Sequence, residues 1–284
     1  MTRSDRTRPR STALVGALLG AAALVAAPGA NAADCPLPPG AEDANGDGYA
    51  DALVSPSARI VDSEVDCDAR VGAGSVLVRT SVTNGAGIGE RTYLAPGSRV
   101  DRGAIVGSRS AVLENARVLG GPGIDKPRLG DYTLVGRDVE IGGLAVFAGS
   151  SALLRGASVD AGDYARGLVV GPGASLERVT TGEGVLIGRD ANVGFNTSIG
   201  AGSRLDAGVT VGRVSGIGDR VVVGRNATLG EFVDVGDRAR VGPDAAIGDG
   251  ATLGEGVNVG AGARVEAGAT VPAFTDIAPG STYP

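Results

Sequence analysis

The stretch Val235-Gly-Asp-Arg-Ala-Arg-Val241-Gly-Pro-Asp-Ala-Ala-Ile247-Gly-Asp-Gly-Ala-Thr-Leu253-Gly-Glu-Gly-Val-Asn-Val259 decides the fold. An aliphatic residue returns at every sixth position, and Gly follows each one. The row runs unbroken from Ile187 to Ile277. A helix repeats near 3.6 and a strand at 2, so neither element makes a period of six. The fifth position of each hexad is small or β-branched. Positions five, six and one therefore read in, out, in, as a short half-buried strand. Positions two to four turn a corner, where Gly supplies the backbone freedom.

Three strands and three corners close a coil of eighteen residues. Successive coils stack about 4.8 Å apart in parallel register. Upstream the rule continues with slips. Spacings of eleven replace twelve from Ile60 to Val71, Leu77 to Ile88, Val118 to Leu129, Val159 to Val170 and Leu176 to Ile187. Each reads as a one-residue deletion absorbed at a corner. Gly120 to Arg128 and Asp160 to Leu168 each read as one wide corner. The coil spans about Val54 to Ile277, roughly twelve turns and on the order of 60 Å. Pro272, Pro279 and Pro284 are expected to blunt the open end, since proline donates no ladder hydrogen bond.

These hexads closely resemble the hexapeptide-repeat superfamily, written [LIV]-[GAED]-x-x-[STAV]-x. The resemblance implies an all-β fold, a single-stranded left-handed parallel β-helix (β-solenoid), and commonly a homotrimer. It also implies acyl transfer from acyl-CoA-type donors, with a His as the usual general base. The chain contains no His. Neither that base nor the three-His zinc site of the family's carbonic anhydrases can be assigned to any residue. Glu90, Glu114, Glu140 and Glu177 sit at surface hexad positions, and a carboxylate base has no clear candidate among them.

The N-terminus reads as a secretory signal over residues 1–32. Arg3, Arg6, Arg8 and Arg10 precede the apolar run Ala13 to Ala27, and Ala30-Asn31-Ala32 fits the cleavage rule. Removal leaves 22 basic against 31 acidic residues. Such a surface does not seek phosphate backbones, which argues against nucleic-acid binding. No later apolar run is long enough to span a membrane. The mature protein is expected in the cell envelope or outside the cell.

Residues 33–53 form an expected N-terminal cap. Within it Asp43, Asn45, Asp47, Tyr49 and Asp51 place oxygen ligands at calcium-loop spacing, with Gly48 at the turn. The motif resembles the calcium loops of dockerin, thrombospondin and integrin-propeller repeats. It departs from the full loop at Val54, where a bidentate Glu is usual. The competing reading is a polar Asx-Gly turn that binds no Ca2+. Cys35 and Cys67 are the two cysteines. In an exported chain they are expected to pair and staple the cap to the rod; two free thiols are the alternative.

A flat threonine ladder at position six would mark an ice-binding face. Asn192, Thr210, Thr228, Ala246 and Arg264 stand in one row. Ser198, Gly216, Asp234, Thr252 and Thr270 stand in a second, and Arg204, Val222, Arg240, Asn258 and Asp276 in the third. Charges break all three rows, so that function is excluded. Phe195, Phe232 and Phe274 occupy corner positions, where they mark either a contact surface or packing beneath a neighbouring corner. The residues 54–284 therefore read as a secreted, non-catalytic rod with a structural or adhesive role. The alternative is a hexapeptide acyltransferase with a non-histidine base.

Overall fold

The computed structural model describes residues 53–66, 68–83, 85–120 and 126–284. The calcium-loop residues Asp43, Asn45, Asp47, Tyr49 and Asp51 lie outside the described residues, as do Cys35 and Cys67. The described chain is all β, with no helix, and coils as a parallel β-solenoid of about twelve turns. One face is a 13-stranded parallel sheet, one strand per turn. Twelve steps between those strands give a rod of about 58 Å.

The three faces follow one another along the chain. Strands ending at Val54, Val71, Ile88 and Val106 begin the first face. Those at Ile60, Leu77, Leu94 and Val112 begin the second. Those at Val65, Val82, Val100 and Val118 begin the third. The aliphatic row points inward on every face and forms one continuous buried core. The coil continues one strand beyond Ile277: Thr282–Tyr283 pairs with Arg264–Val265.

Corner geometry explains the hexad. Position two packs against the backbone of the next turn. A Cβ on Gly212 would meet the Gly230 carbonyl oxygen at 2.4 Å, so only Gly fits there without a shift. Position four takes left-handed φ, as at Gly202, Asn226 and Asp244. Gly, Asn and Asp reach that region at least cost. At the one-residue deletions the left-handed residue moves to position three: Asp62, Arg79, Ala161 and Arg178 have φ of 46–47°. These four corners close with one residue fewer, as the spacing implied.

The fifth irregular spacing has the opposite meaning. Val106 pairs with Leu129, so the chain from Val118 to Leu129 crosses one corner only. Eleven residues stand where six are usual, an insertion of five and not a deletion. Counting spacings could not separate these cases, because eleven is both six plus five and twelve minus one.

Gly120 to Arg128 thus belongs to one wide corner, as its composition suggested, but Asp160 to Leu168 is not a wide corner. Ser158–Tyr164 is a continuous strand that carries the chain from the third face to the first. It pairs along most of its length with Glu140–Phe147, which crosses in the same way. Where these strands sweep past the corner, the core takes aromatic residues. Phe147 and Tyr164 replace the aliphatic row and stack with centroids 4.6 Å apart. The Tyr164 hydroxyl donates to the Ala161 carbonyl at 2.6 Å. Burial raises the Tyr164 pKa above its ordinary value.

Candidate functional site

Three of the five irregular spacings fall on one edge, while those at Asp62 and Arg79 fall on the edge between the second and third faces. The corner between the third and first faces holds the five-residue insertion, then the two sweeping strands, then Arg178. Above them come Phe195, Arg213, Val214, Glu231 and Phe232 in successive turns. Leu144, Val146, Asp160, Asp163 and Arg178 line a shallow cleft at the level of the sweeping strands. Leu144 and Val146 are exposed within it.

Above the cleft the side chains are ordered by their neighbours. The Arg178 guanidinium lies over the Phe195 ring, 5.1 Å from its centroid. One turn higher, Arg213 lies 5.8 Å from the centroid of Phe232. Arg213 also donates from Nε to Glu231 at 2.9 Å. Arg and aromatic residues thus alternate up the edge, and each guanidinium lies over a ring.

This edge places bulky side chains at the corner position that takes left-handed φ. Val214 and Phe232 both have φ of 57°. The same φ recurs at position four of other corners, Tyr132 and Phe274 at 59° among them, so it belongs to the hexad and costs more here only because the side chains are bulky. Of the three corner phenylalanines, Phe195 and Phe232 share this edge. Phe274 is the most exposed, at 72%, and stands on the edge between the first and second faces. That second edge also holds Tyr132, whose ring centroid lies 5.4 Å from the Arg109 guanidinium of the turn below. Its position four was legible as an aromatic corner residue, like Phe232.

The side chains on the second face were missed. From Val76 upward its outward residues are Val76, Tyr93, Ala111, Leu134, Ala152, Val169 and Leu186. Seven successive turns are apolar, and Tyr93, Leu134 and Leu186 are exposed. Arg59 bounds the row below and Arg204 above. Contiguous apolar surface of this kind marks contact with another molecule more often than with water. In a three-sided rod this face lies opposite the edge that carries Phe195 and Phe232.

The carboxylates have defined tasks in several corners. Asp131 accepts the backbone N–H of Ser108 at 2.7 Å, and Asp219 accepts that of Ala201 at 2.8 Å. Asp237 and Asp249 do the same for Asp219 and Glu231, both at 2.9 Å. Each ties its corner to the turn below. Glu114 receives two hydrogen bonds from Arg137, at 2.8 and 3.1 Å. Hydrogen bonds to its carboxylate, from its own backbone and then from Arg137, lower its pKa. A base held this way is poorer, not better. Glu90, Glu140 and Glu177 are exposed. Among the described residues no group of three His, Cys, Asp or Glu is placed to hold a metal ion.

Residues 232–267 match the family described as bacterial transferase hexapeptide (six repeats). A search of curated protein sequences found no match. Among solved structures the chain is similar to the UDP-N-acetylglucosamine acyltransferase of Francisella novicida. The identity is 14% over 77% of this chain and 62% of that one, with a TM-score of 0.29. It is similar to a putative acetyltransferase from Desulfovibrio desulfuricans, at 11% identity over 68% and 63% of the two chains and a TM-score of 0.30. The Arabidopsis UDP-N-acetylglucosamine acyltransferase matches at 15% identity over 80% and 69%, with a TM-score of 0.25. The chain spans less than two thirds of the length of the first two structures.

Proposed function

We propose that this hexapeptide-repeat rod is exported and acts as a non-catalytic binding or structural element in the envelope or outside the cell. The observation that supports this reading best is the use made of its acidic groups. The corner carboxylates of Asp131, Asp219, Asp237 and Asp249 cap backbone N–H groups, and Glu114 is held by Arg137. The chain has no His to serve in their place. The apolar second face would pack against a second copy, giving a homo-oligomer whose opposite edges point outward. A cap bound to Ca2+ and tied by a Cys35–Cys67 disulfide would close the lower end.

The second reading is acyl transfer. It is favoured by the transferase-type repeat at residues 232–267 and by the cleft that holds Asp160 and Asp163. Purified mature protein incubated with acetyl-CoA and a longer acyl-CoA, with sugar or amine acceptors, separates the two. The proposed function requires that release of free CoA stay at the rate of the buffer control. Turnover that Asp160→Asn or Asp163→Asn removes would establish the enzyme instead.

A further inference from the structure

We infer that two copies of this chain pack second face to second face in antiparallel directions, with Leu134 on the two-fold axis. The inference rests on the homo-oligomer proposed above and gives it a direction and a register.

The order of the side chains carries the argument. From Arg59 to Arg204 the second face shows nine outward residues, and Leu134 is the fifth. Ala111 and Ala152 flank it below and above, which leaves room for the partner's Leu134 to enter beside it. In a two-fold interface a residue some turns below the axis meets the residue as many turns above it. Turning one rod end over end about Leu134 therefore sets Tyr93 opposite Val169 and Val76 opposite Leu186. Every apolar residue of the row meets another apolar residue. The first face offers no such run, because Arg70, Arg128 and Asp163 interrupt it.

Charge selects the direction. The same rotation lays each edge of the second face along its own counterpart. On the edge toward the first face, Glu90 in the turn of Tyr93 meets Arg166 in the turn of Val169. Both are exposed, and neither makes a salt bridge among the described residues. On the edge toward the third face, Glu114 in the turn of Ala111 meets Arg155 in the turn of Ala152. Symmetry makes each pair twice. Two meetings join like charges, and both are already neutralised within each copy. Arg59 meets Arg204, which Asp206 holds at 2.6 Å, and Arg137 meets its own copy while bound to Glu114 at 2.8 Å. A parallel two-fold would instead set every residue on its own copy, with Arg240 on Arg240, Glu90 on Glu90 and Arg166 on Arg166. Like charges so opposed disfavour that arrangement.

The contact is large enough. Nine turns give about 43 Å of length, and a side about four residues wide gives about 13 Å. The footprint is about 560 Å2 on each copy, so the total passes the roughly 1,000 Å2 of a specific interface.

The test is disulfide trapping in the mature protein, with sedimentation for the mass. The unsubstituted chain, which keeps Cys35 and Cys67, sets the background. A dimer mass is expected. Under mild oxidation Leu134→Cys should trap as a covalent dimer. Val76→Cys alone and Leu186→Cys alone should not, since each lies six turns, about 29 Å, from its own copy. An equilibrated mixture of those two variants should trap about half of the dimers, the share that pairs unlike chains. Glu90→Arg should raise the dissociation constant about tenfold, and adding Arg166→Glu should restore it. Matched melting temperatures establish that the variants fold. Trapping by Val76→Cys alone, no trapping in the mixture, or a trimer mass overturns the inference. A parallel dimer or a trimer leaves the homo-oligomer standing, whereas a monomer removes both. The non-catalytic reading is decided separately, by release of free CoA.

Discussion

Replacing Thr181 by Val should make the protein more stable. Thr181 stands in the inward row of the first face, between Tyr164 below and Ile199 above. It is 4% exposed, and its hydroxyl has no hydrogen-bond partner. An unmet buried hydroxyl costs about 1–3 kcal/mol. Val has nearly the same shape, so the packing is kept and the unmet hydroxyl removed. The net gain should be about 1–2 kcal/mol. For a chain of this size each kcal/mol moves the melting temperature by about 2–4 °C. A rise of about 4 °C is expected, with a matching rise in the urea midpoint. Thr92→Val is the control, because the Thr92 hydroxyl donates to the Gly107 carbonyl at 2.9 Å. There the same substitution should lose about 1–2 kcal/mol. If both variants lose stability equally, hydrogen bonding does not decide these positions and the reasoning fails.

Three other perturbations follow from particular contacts. Gly212→Ala forces a Cβ toward the Gly230 carbonyl and should lower stability by about 1–3 kcal/mol in urea melts. Gly250→Ala has open space and pays only for its left-handed φ of 68°, so its loss should be about 1–2 kcal/mol, mostly smaller. Burial raises the Tyr164 pKa above the ordinary 10.0, so its contribution is full below that pH and falls as pH rises further. Tyr164→Phe should start lower at pH 8, having lost the bond to Ala161, and decline less steeply above pH 10 in the same assay. At the N-terminal cap, excess chelator should lower the melting temperature of the mature protein but not of Asp47→Ala. An unchanged melt in both would remove calcium from the account.

The solenoid was legible because the hexad records one physical fact, that each side buries one aliphatic residue. Four of the five slips were legible for the same reason. The Val118 to Leu129 spacing was not, since its register depends on which strand Leu129 pairs with. The sweeping strand Ser158–Tyr164 was hidden likewise, because Gly162 looks like a corner residue. In the fold its φ is 120°, and a Cβ there would meet the Val179 carbonyl at 2.1 Å. The corner aromatics were legible one by one, but their sharing of an edge was not. An edge is a column of residues 17, 18 or 23 apart, and the slips change that count between turns. The apolar second face escaped for this reason: its row Val76 to Leu186 crosses every slip but the first, while the regular upper turns show Arg204, Val222 and Arg240.

The central claim is that the rod uses its apolar second face for contact and leaves the opposite edge free. Sedimentation equilibrium of the mature chain beside Leu134→Arg tests it most directly. The account predicts a defined oligomer for the mature chain at micromolar concentration. It predicts a monomer with an unchanged melting temperature for Leu134→Arg. A mature chain that stays monomeric, or an oligomer that Leu134→Arg leaves intact, would contradict it.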